Sequence, residues 1–106
     1  MISAVYETGN VSTTDTDPGV CVGGFVGSNN VGPNTHSIAN ALWDTDTNSQ
    51  QSGYSTNDDC SPNGGEGISA ITSANLKGQL QTGFDSAIWA LDSQNGFPYL
   101  IANPPP

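Results

Sequence analysis

Acidic and amide side chains supply most of the chemistry this sequence could perform. Asp44-Thr45-Asp46-Thr47-Asn48 has the D-x-D-x-N opening of a calcium loop, in which oxygens at alternate positions converge on one hard cation. An EF-hand continues with a glycine and closes with a bidentate glutamate, but Ser49 and Ser55 stand at those two places. Asp15, Asp17, Asp58 and Asp59 add acidic oxygens, so a calcium site assembled from separate loops stays open, with Asp44, Asp46 and Asn48 as its candidate ligands. The missing glycine and glutamate favour the alternative, a solvated acidic turn with no cofactor.

Catalytic constellations are weaker. His36 is the one histidine, and no G-x-S-x-G elbow surrounds a serine that it could activate. Asp44 with Asp46, or Asp58 with Asp59, are carboxylate pairs in turns, where solvation is the ordinary use rather than glycoside hydrolysis. Lys77 precedes Gly78 near an expected helix end, where a cation meets the helix dipole favourably, so an isopeptide role is set aside. The expectation is a protein that is not an enzyme. Aromatic rings offer a different chemistry, because a ring flanked by Asn and Asp can stack on a sugar and bond its hydroxyls. Trp43, Trp89, Tyr99 and Leu100 are needed for a core in so glycine-rich a chain. Tyr54 is the aromatic expected at the surface, and Tyr54, Asn57, Asp58 and Asp59 form the candidate ligand-binding set.

Cys21 and Cys60 are the only cysteines, so neither a C-x-x-C motif nor a zinc site is available. In a small, weakly cored chain they are expected to form one disulfide, which implies an oxidising compartment, against the alternative of two buried thiols. Closing a loop of that length contributes about 4 kcal/mol in the chain-entropy model.

Composition narrows the rest. Ser, Thr, Asn and Gly fill 46 of 106 positions, and the formal charge is −9 with Lys77 as the only lysine or arginine. One basic side chain cannot neutralise a phosphate backbone or hold an anionic membrane, which excludes nucleic acid and membrane adhesion. No apolar run approaches the ~20 residues that span a bilayer. Two Trp, three Tyr and three Phe with only 10% charged residues argue against disorder. Few helix formers and many turn residues predict an all-β chain.

The elements follow from pattern. Residues 4–7 read as a short strand stopped by Thr8-Gly9-Asn10. Residues 20–27 read as the strongest strand, with glycines that suit close approach of a neighbouring segment. Ile38, Asn40 and Leu42 alternate with Ala39, Ala41 and Trp43 in a third strand. Residues 50–67 form a long polar connection that Cys60 would tether. Thr72 is placed to cap one or two helical turns ending at Gly78, and Asp85 to cap a second turn. Residues 97–101 predict a last strand that Pro98 places at an edge.

Three segments then align with a known repeat. Ala4-Val5-Tyr6-Glu7-Thr8-Gly9-Asn10-Val11, Val22-Gly23-Gly24-Phe25-Val26-Gly27-Ser28-Asn29 and Ile38-Ala39-Asn40-Ala41-Leu42-Trp43-Asp44-Thr45 occur in that order. They resemble the GLUG-motif repeat of filamentous-haemagglutinin-like bacterial surface adhesins, with Phe25 in place of the motif's leucine. Gly83-Phe84-Asp85, Ile88-Trp89 and Asn95-Gly96-Phe97-Pro98-Tyr99-Leu100 are similar to the segment after the last repeat of such proteins. Residues 31–36, both cysteines and residues 49–67 depart from the pattern.

The resemblance implies a parallel β-helix, or β-solenoid, whose coils stack through glycines and fill a thin core with alternate apolar residues. It divides the chain into a coil over 1–48, a disulfide-tethered excursion over 49–67, a C-terminal cap over 68–102 and a proline-rich linker over 103–106. The expected function is the non-catalytic terminal module of an adhesin secreted to the bacterial cell surface. Its expected partners are preceding coils of the same chain and a glycan or protein receptor. The alternative is a glycan- or calcium-dependent binding domain built on the excursion. An uncapped strand edge also predicts either protection by residues 1–7 or self-association.

Overall fold

A computed structural model describes residues 2–17, 19–29, 38–57, 59–60 and 66–106. Three strands, β1 (Ile2–Glu7), β2 (Ile38–Asp44) and β3 (Ile68–Ile71), form one sheet in the order β1-β2-β3, parallel throughout. Ile2 stands beside Ile38 and Ala41 beside Ile68, so the chain re-enters the same sheet after 36 residues and again after 27. The expected strand at 4–7 extends back to Ile2, and residues 2–7 are the edge strand itself. β3 has no counterpart among the strands read from the pattern.

One bend recurs at the same register point, within β1 and β2 and immediately before β3. Ala4 (φ 52°), Asn40 (φ 50°) and Gly67 (φ 80°) are left-handed. The pairs Ser3–Ala39 and Val5–Ala41 put Ala4 beside Asn40, and Ala41–Ile68 puts Asn40 beside Gly67. A kink in one strand alone would break a parallel ladder; the same kink in each rung preserves it. The Ala41 amide accordingly still donates to the Gly67 carbonyl at 2.9 Å. Left-handed backbone costs a non-glycine residue about 1 kcal/mol or more, so Ala4 and Asn40 hold it against their preference.

A second parallel contact runs opposite the sheet. The amides of Gly24 and Phe25 donate to the carbonyls of Ser52 and Gly53, each at 2.8 Å, and Val26 bridges Tyr54 in parallel. The strand expected over 20–27 is therefore a bend with a single bridge among its described residues. Its glycines bring backbone, rather than side chains, against the interior, and that gives little to sustain a ladder. The Cys21–Cys60 disulfide forms as expected and ties this segment to the one that pairs with it. Cys60 is buried, and its carbonyl also accepts from the Asn29 amide and the Ser28 hydroxyl.

Between the two ladders lies Trp43, 6% exposed, beside Ile38 and Ala41. A Cβ at Gly24 would lie 2.7 Å from Cε3 of Trp43, and one at Gly53 2.7 Å from its Cδ1 and Nε1. The indole thus fills space that only two glycines leave. Burying such a ring removes about 200 Å² from water, roughly 5 kcal/mol at ~25 cal/mol per Å².

The C-terminal segment covers the opposite face of the sheet. It begins with the four-residue helix α1 (Ser73–Leu76), whose N-cap Thr72 accepts from the Asn75 amide at 3.2 Å. It ends in an antiparallel pair, β4 (Trp89–Leu91) and β5 (Pro98–Leu100). The turn expected at Asp85 forms as a hydrogen-bonded turn, not a helix: its carboxylate accepts from Ala87 and its carbonyl from Ile88 and Trp89. Gly83 lies on the side chain of Asn40. From there the chain reaches Tyr6, whose ring meets Phe84, Trp89 and Phe97 with centroids 6.1–6.5 Å away. The Tyr6 hydroxyl donates to the Pro98 carbonyl at 2.6 Å. Leu100, expected in the core, is 42% exposed. The described fold is all-β apart from α1, and none of its helices is long and apolar enough to cross a membrane.

Two outcomes follow from these layers. Gly53→Ala is expected to destabilise the fold by about 1–3 kcal/mol through overpacking against Trp43 and Ile68, read as a lower midpoint in urea with a shifted indole emission. Burial raises the Tyr6 phenol above its ordinary value of 10.0. The folded state therefore holds this proton more tightly than the unfolded chain does. That contribution is complete below pH 10 and is lost as pH rises through the folded value. Melting temperature should fall above pH 10, and Tyr6→Phe should reduce the fall.

Candidate functional site

The acidic turn and the surroundings of Tyr54 are the two places where sequence chemistry gathers. At the end of β2, Asp44 is fully buried. One carboxylate oxygen accepts from the Asp46 amide at 2.9 Å, and the other from the Ser73 hydroxyl at 2.5 Å. Asp46 accepts from the Ser73 amide at 2.9 Å. Thr45 donates through its amide and its hydroxyl to the Ile71 carbonyl, at 2.9 and 3.3 Å. The turn therefore pins the end of β2 to β3 and to the start of α1.

Asn48 points the other way and is also buried. Its amide nitrogen donates to the Gly24 carbonyl at 3.0 Å and to Glu7 at 3.2 Å. Its oxygen accepts from the Gln50 amide at 3.0 Å. Asp44 and Asp46 are thus brought together around Ser73, while Asn48 links β1 to the Gly24 segment. Among the described residues, no three His, Cys, Asp or Glu side chains gather in a way that could hold a metal ion.

Tyr54 is half-buried and lines an open groove of about 310 Å³ with Val22, Ser49, Gln50, Gln51, Ser52 and Thr56. The groove floor is anchored from below. Ser49 donates through its amide to Asn10 and through its hydroxyl to the Val11 carbonyl, which also takes the Gln50 side-chain amide at 2.8 Å. The Tyr54 amide lies 3.4 Å from the Ser52 hydroxyl oxygen, which accepts from it.

Asn57 and Asp59, grouped with Tyr54 by sequence, do not line this groove. Asn57 accepts from the Asp59 amide through its side chain and from the Cys60 amide through its carbonyl, shaping the turn that delivers Cys60 to the disulfide. Asp59 is exposed on that turn. Asp58 and His36 lie outside the described residues. Lys77 is exposed with its ammonium 4.8 Å from the centroid of Phe97, a cation–π contact. Sequence reasoning missed Gln50, Gln51 and Thr56 as neighbours of Tyr54. The available signal was the run Ser49-Gln50-Gln51-Ser52 immediately before it, uncharged in so acidic a chain.

Compared with models of protein families, with curated proteins and with solved structures, the chain matches none.

The acidic turn has a direct stability test. Asp44→Ala leaves the Ser73 hydroxyl and the Asp46 amide without their acceptor in a buried place, and is expected to cost about 2–3 kcal/mol. Asp44→Asn keeps one acceptor oxygen and should cost less, measured by denaturant unfolding of the two variants side by side.

Proposed function

We propose that this chain is a non-catalytic stacking module, the terminal coil and cap of a parallel β-solenoid in a secreted bacterial surface adhesin. The observation that carries this reading is the column of left-handed residues at one register point, Ala4 in β1, Asn40 in β2 and Gly67 immediately before β3. A repeated corner at a repeated position is what a coiled chain needs in order to lay each turn on the last. The second parallel contact, from residues 24–26 to 52–54, lies in the chain between successive rungs of the sheet and supports the same reading.

Residues 72–101 act as the cap by covering the outer face of the rungs, through Gly83 on Asn40 and the aromatic cluster on Tyr6. Among the described residues β1 has a strand on one side only. Beside β1, a hollow of about 470 Å³ opens between Ser3, Ala4 and Val5 and the side chains of Ile88, Trp89 and Leu100. Exposed Ile2, Ile88 and Leu100 belong to this end of the molecule. Preceding coils of a longer stack, or a second copy of the chain, would bury that edge. The disulfide agrees with secretion, and the motif resemblance is the ground for adhesion at a cell surface.

Stackability can be tested by duplicating one coil. A chain in which residues 2–37 occur twice in tandem should melt cooperatively at a higher temperature than the original, because each added rung covers the previous edge. Loss of cooperativity, or a melting temperature no higher than the original, would count against a solenoid.

A further inference from the structure

We infer that the groove at Tyr54 is a binding subsite for a neutral saccharide. This goes beyond the stacking role, which needs no ligand, and does not depend on it. The contrast with the acidic turn carries the inference. Both carboxylate oxygens of Asp44, one of Asp46 and the side-chain oxygen of Asn48 accept from protein donors. Around Tyr54, the carboxamide of Gln51 and the hydroxyls of Thr56 and Tyr54 have no hydrogen-bond partner among the described residues, and Gln50 uses only its side-chain amide nitrogen.

These free groups surround a ring whose backbone is fixed on both sides. Tyr54 bridges Val26, and the Gly53 carbonyl before it accepts from Phe25 and Val26. Gln50 is held by Asn48 and Val11. A rigid aromatic face with carboxamide and hydroxyl neighbours suits a sugar ring, which offers C–H groups to the ring and hydroxyls to the rim. Little backbone freedom at the anchor is lost on binding, which lowers the entropic cost.

Charge selects the class of sugar. The described residues lining the groove include no Asp, Glu, Lys, Arg or His, and the chain carries −9 overall. A uronic, sialylated or sulfated glycan would approach against that field with no cation at the groove to meet it. A neutral hexose or N-acetylhexosamine oligomer has no such barrier. Binding should also be independent of calcium, because no acidic side chain among the described residues lines the groove.

The test is titration of the intact chain with neutral β-glucan, galactan, mannan and chitin oligosaccharides, and with sialylated and sulfated counterparts, in calcium and in EDTA. NMR shift changes give the location and affinity. At least one neutral oligomer should bind in the millimolar range or tighter, equally in EDTA, with the largest shifts at 49–56. Tyr54→Ala should weaken binding about tenfold or more, the size of one lost stacking contact. Gln51→Ala and Thr56→Ala, both at exposed positions, should weaken it severalfold while leaving the melting temperature unchanged. Tyr54→Phe, which keeps the ring, should retain most of the affinity and covers the case in which Tyr54→Ala perturbs the fold. Several results would overturn the inference: no neutral binding at about 10 mM saccharide, stronger binding of an anionic glycan, affinity lost in EDTA, or Gln51→Ala and Thr56→Ala without effect. The coil-duplication experiment reads melting temperature alone, so failure of the stacking role leaves this result standing, and the reverse also holds.

Discussion

Everything in the inner layer depends on the indole of Trp43 lying between two glycines. The chain is poor in large apolar residues, so it cannot fill a wide interior. It narrows the interior instead, until one ring spans it. Gly24 and Gly53 approach that ring to a distance no side chain would allow, and the ladder bonds between their segments hold the approach in place. The disulfide strengthens the same boundary from outside, because Cys21 and Cys60 belong to the two glycine-bearing segments. A thin core, a glycine wall and a covalent tie are therefore one solution to one shortage.

Buried polar groups then do what further apolar residues do in a larger domain. Asp44 ties the ends of β2, β3 and α1 together, and Asn48 joins β1 to the wall at Gly24. Buried polar atoms of this kind specify geometry more than they add stability, because each is costly if its partner is missing. They explain how short strands, with few contacts each, keep a single register. The aromatic cluster on Tyr6 works on the other face and links β1 to residues about 80–90 positions away in sequence.

Local chemistry was legible in the sequence; distant placement was not. The strand ending in Trp43, the Thr72 cap and the Cys21–Cys60 pair each follow from short-range rules of alternation, capping and cysteine count. β3 escaped because Ile68-Ser69-Ala70-Ile71 is too short to show a period, and because it becomes a strand by lying beside β2. Residues 20–27 misled for the opposite reason. Their β-branched residues suit a strand and their glycines signal a close approach, but the partners, Trp43 at Gly24 and the Tyr54 backbone at Gly23, are set by distant parts of the chain. The left-handed column was equally hidden. Gly67 signals such a bend, whereas Ala4 and Asn40 adopt it only because their neighbours in the sheet do. At the candidate site, Tyr54 itself was legible, although it is half-buried, as Trp89 and Tyr99 also are. Its neighbours were not, since Asn57 and Asp59 turn toward the disulfide while Gln51 and Thr56 stay beside the ring.

That division of polar residues into spent and unspent groups bears on how such a surface could acquire function. In a chain where Ser, Thr, Asn and Gly dominate, nearly every turn offers hydrogen-bonding groups, so their presence alone distinguishes nothing. What distinguishes the Tyr54 groove is that its backbone is immobilised by the bonds that build the fold, while its side-chain ends are left over. The acidic turn has the reverse arrangement, with side-chain oxygens consumed in closing the sheet. Carboxylates here hold the structure, and amides and hydroxyls beside an aromatic ring face the solvent. On such a scaffold, discrimination against anionic ligands needs no dedicated residue, since the net negative charge of the fold already repels them.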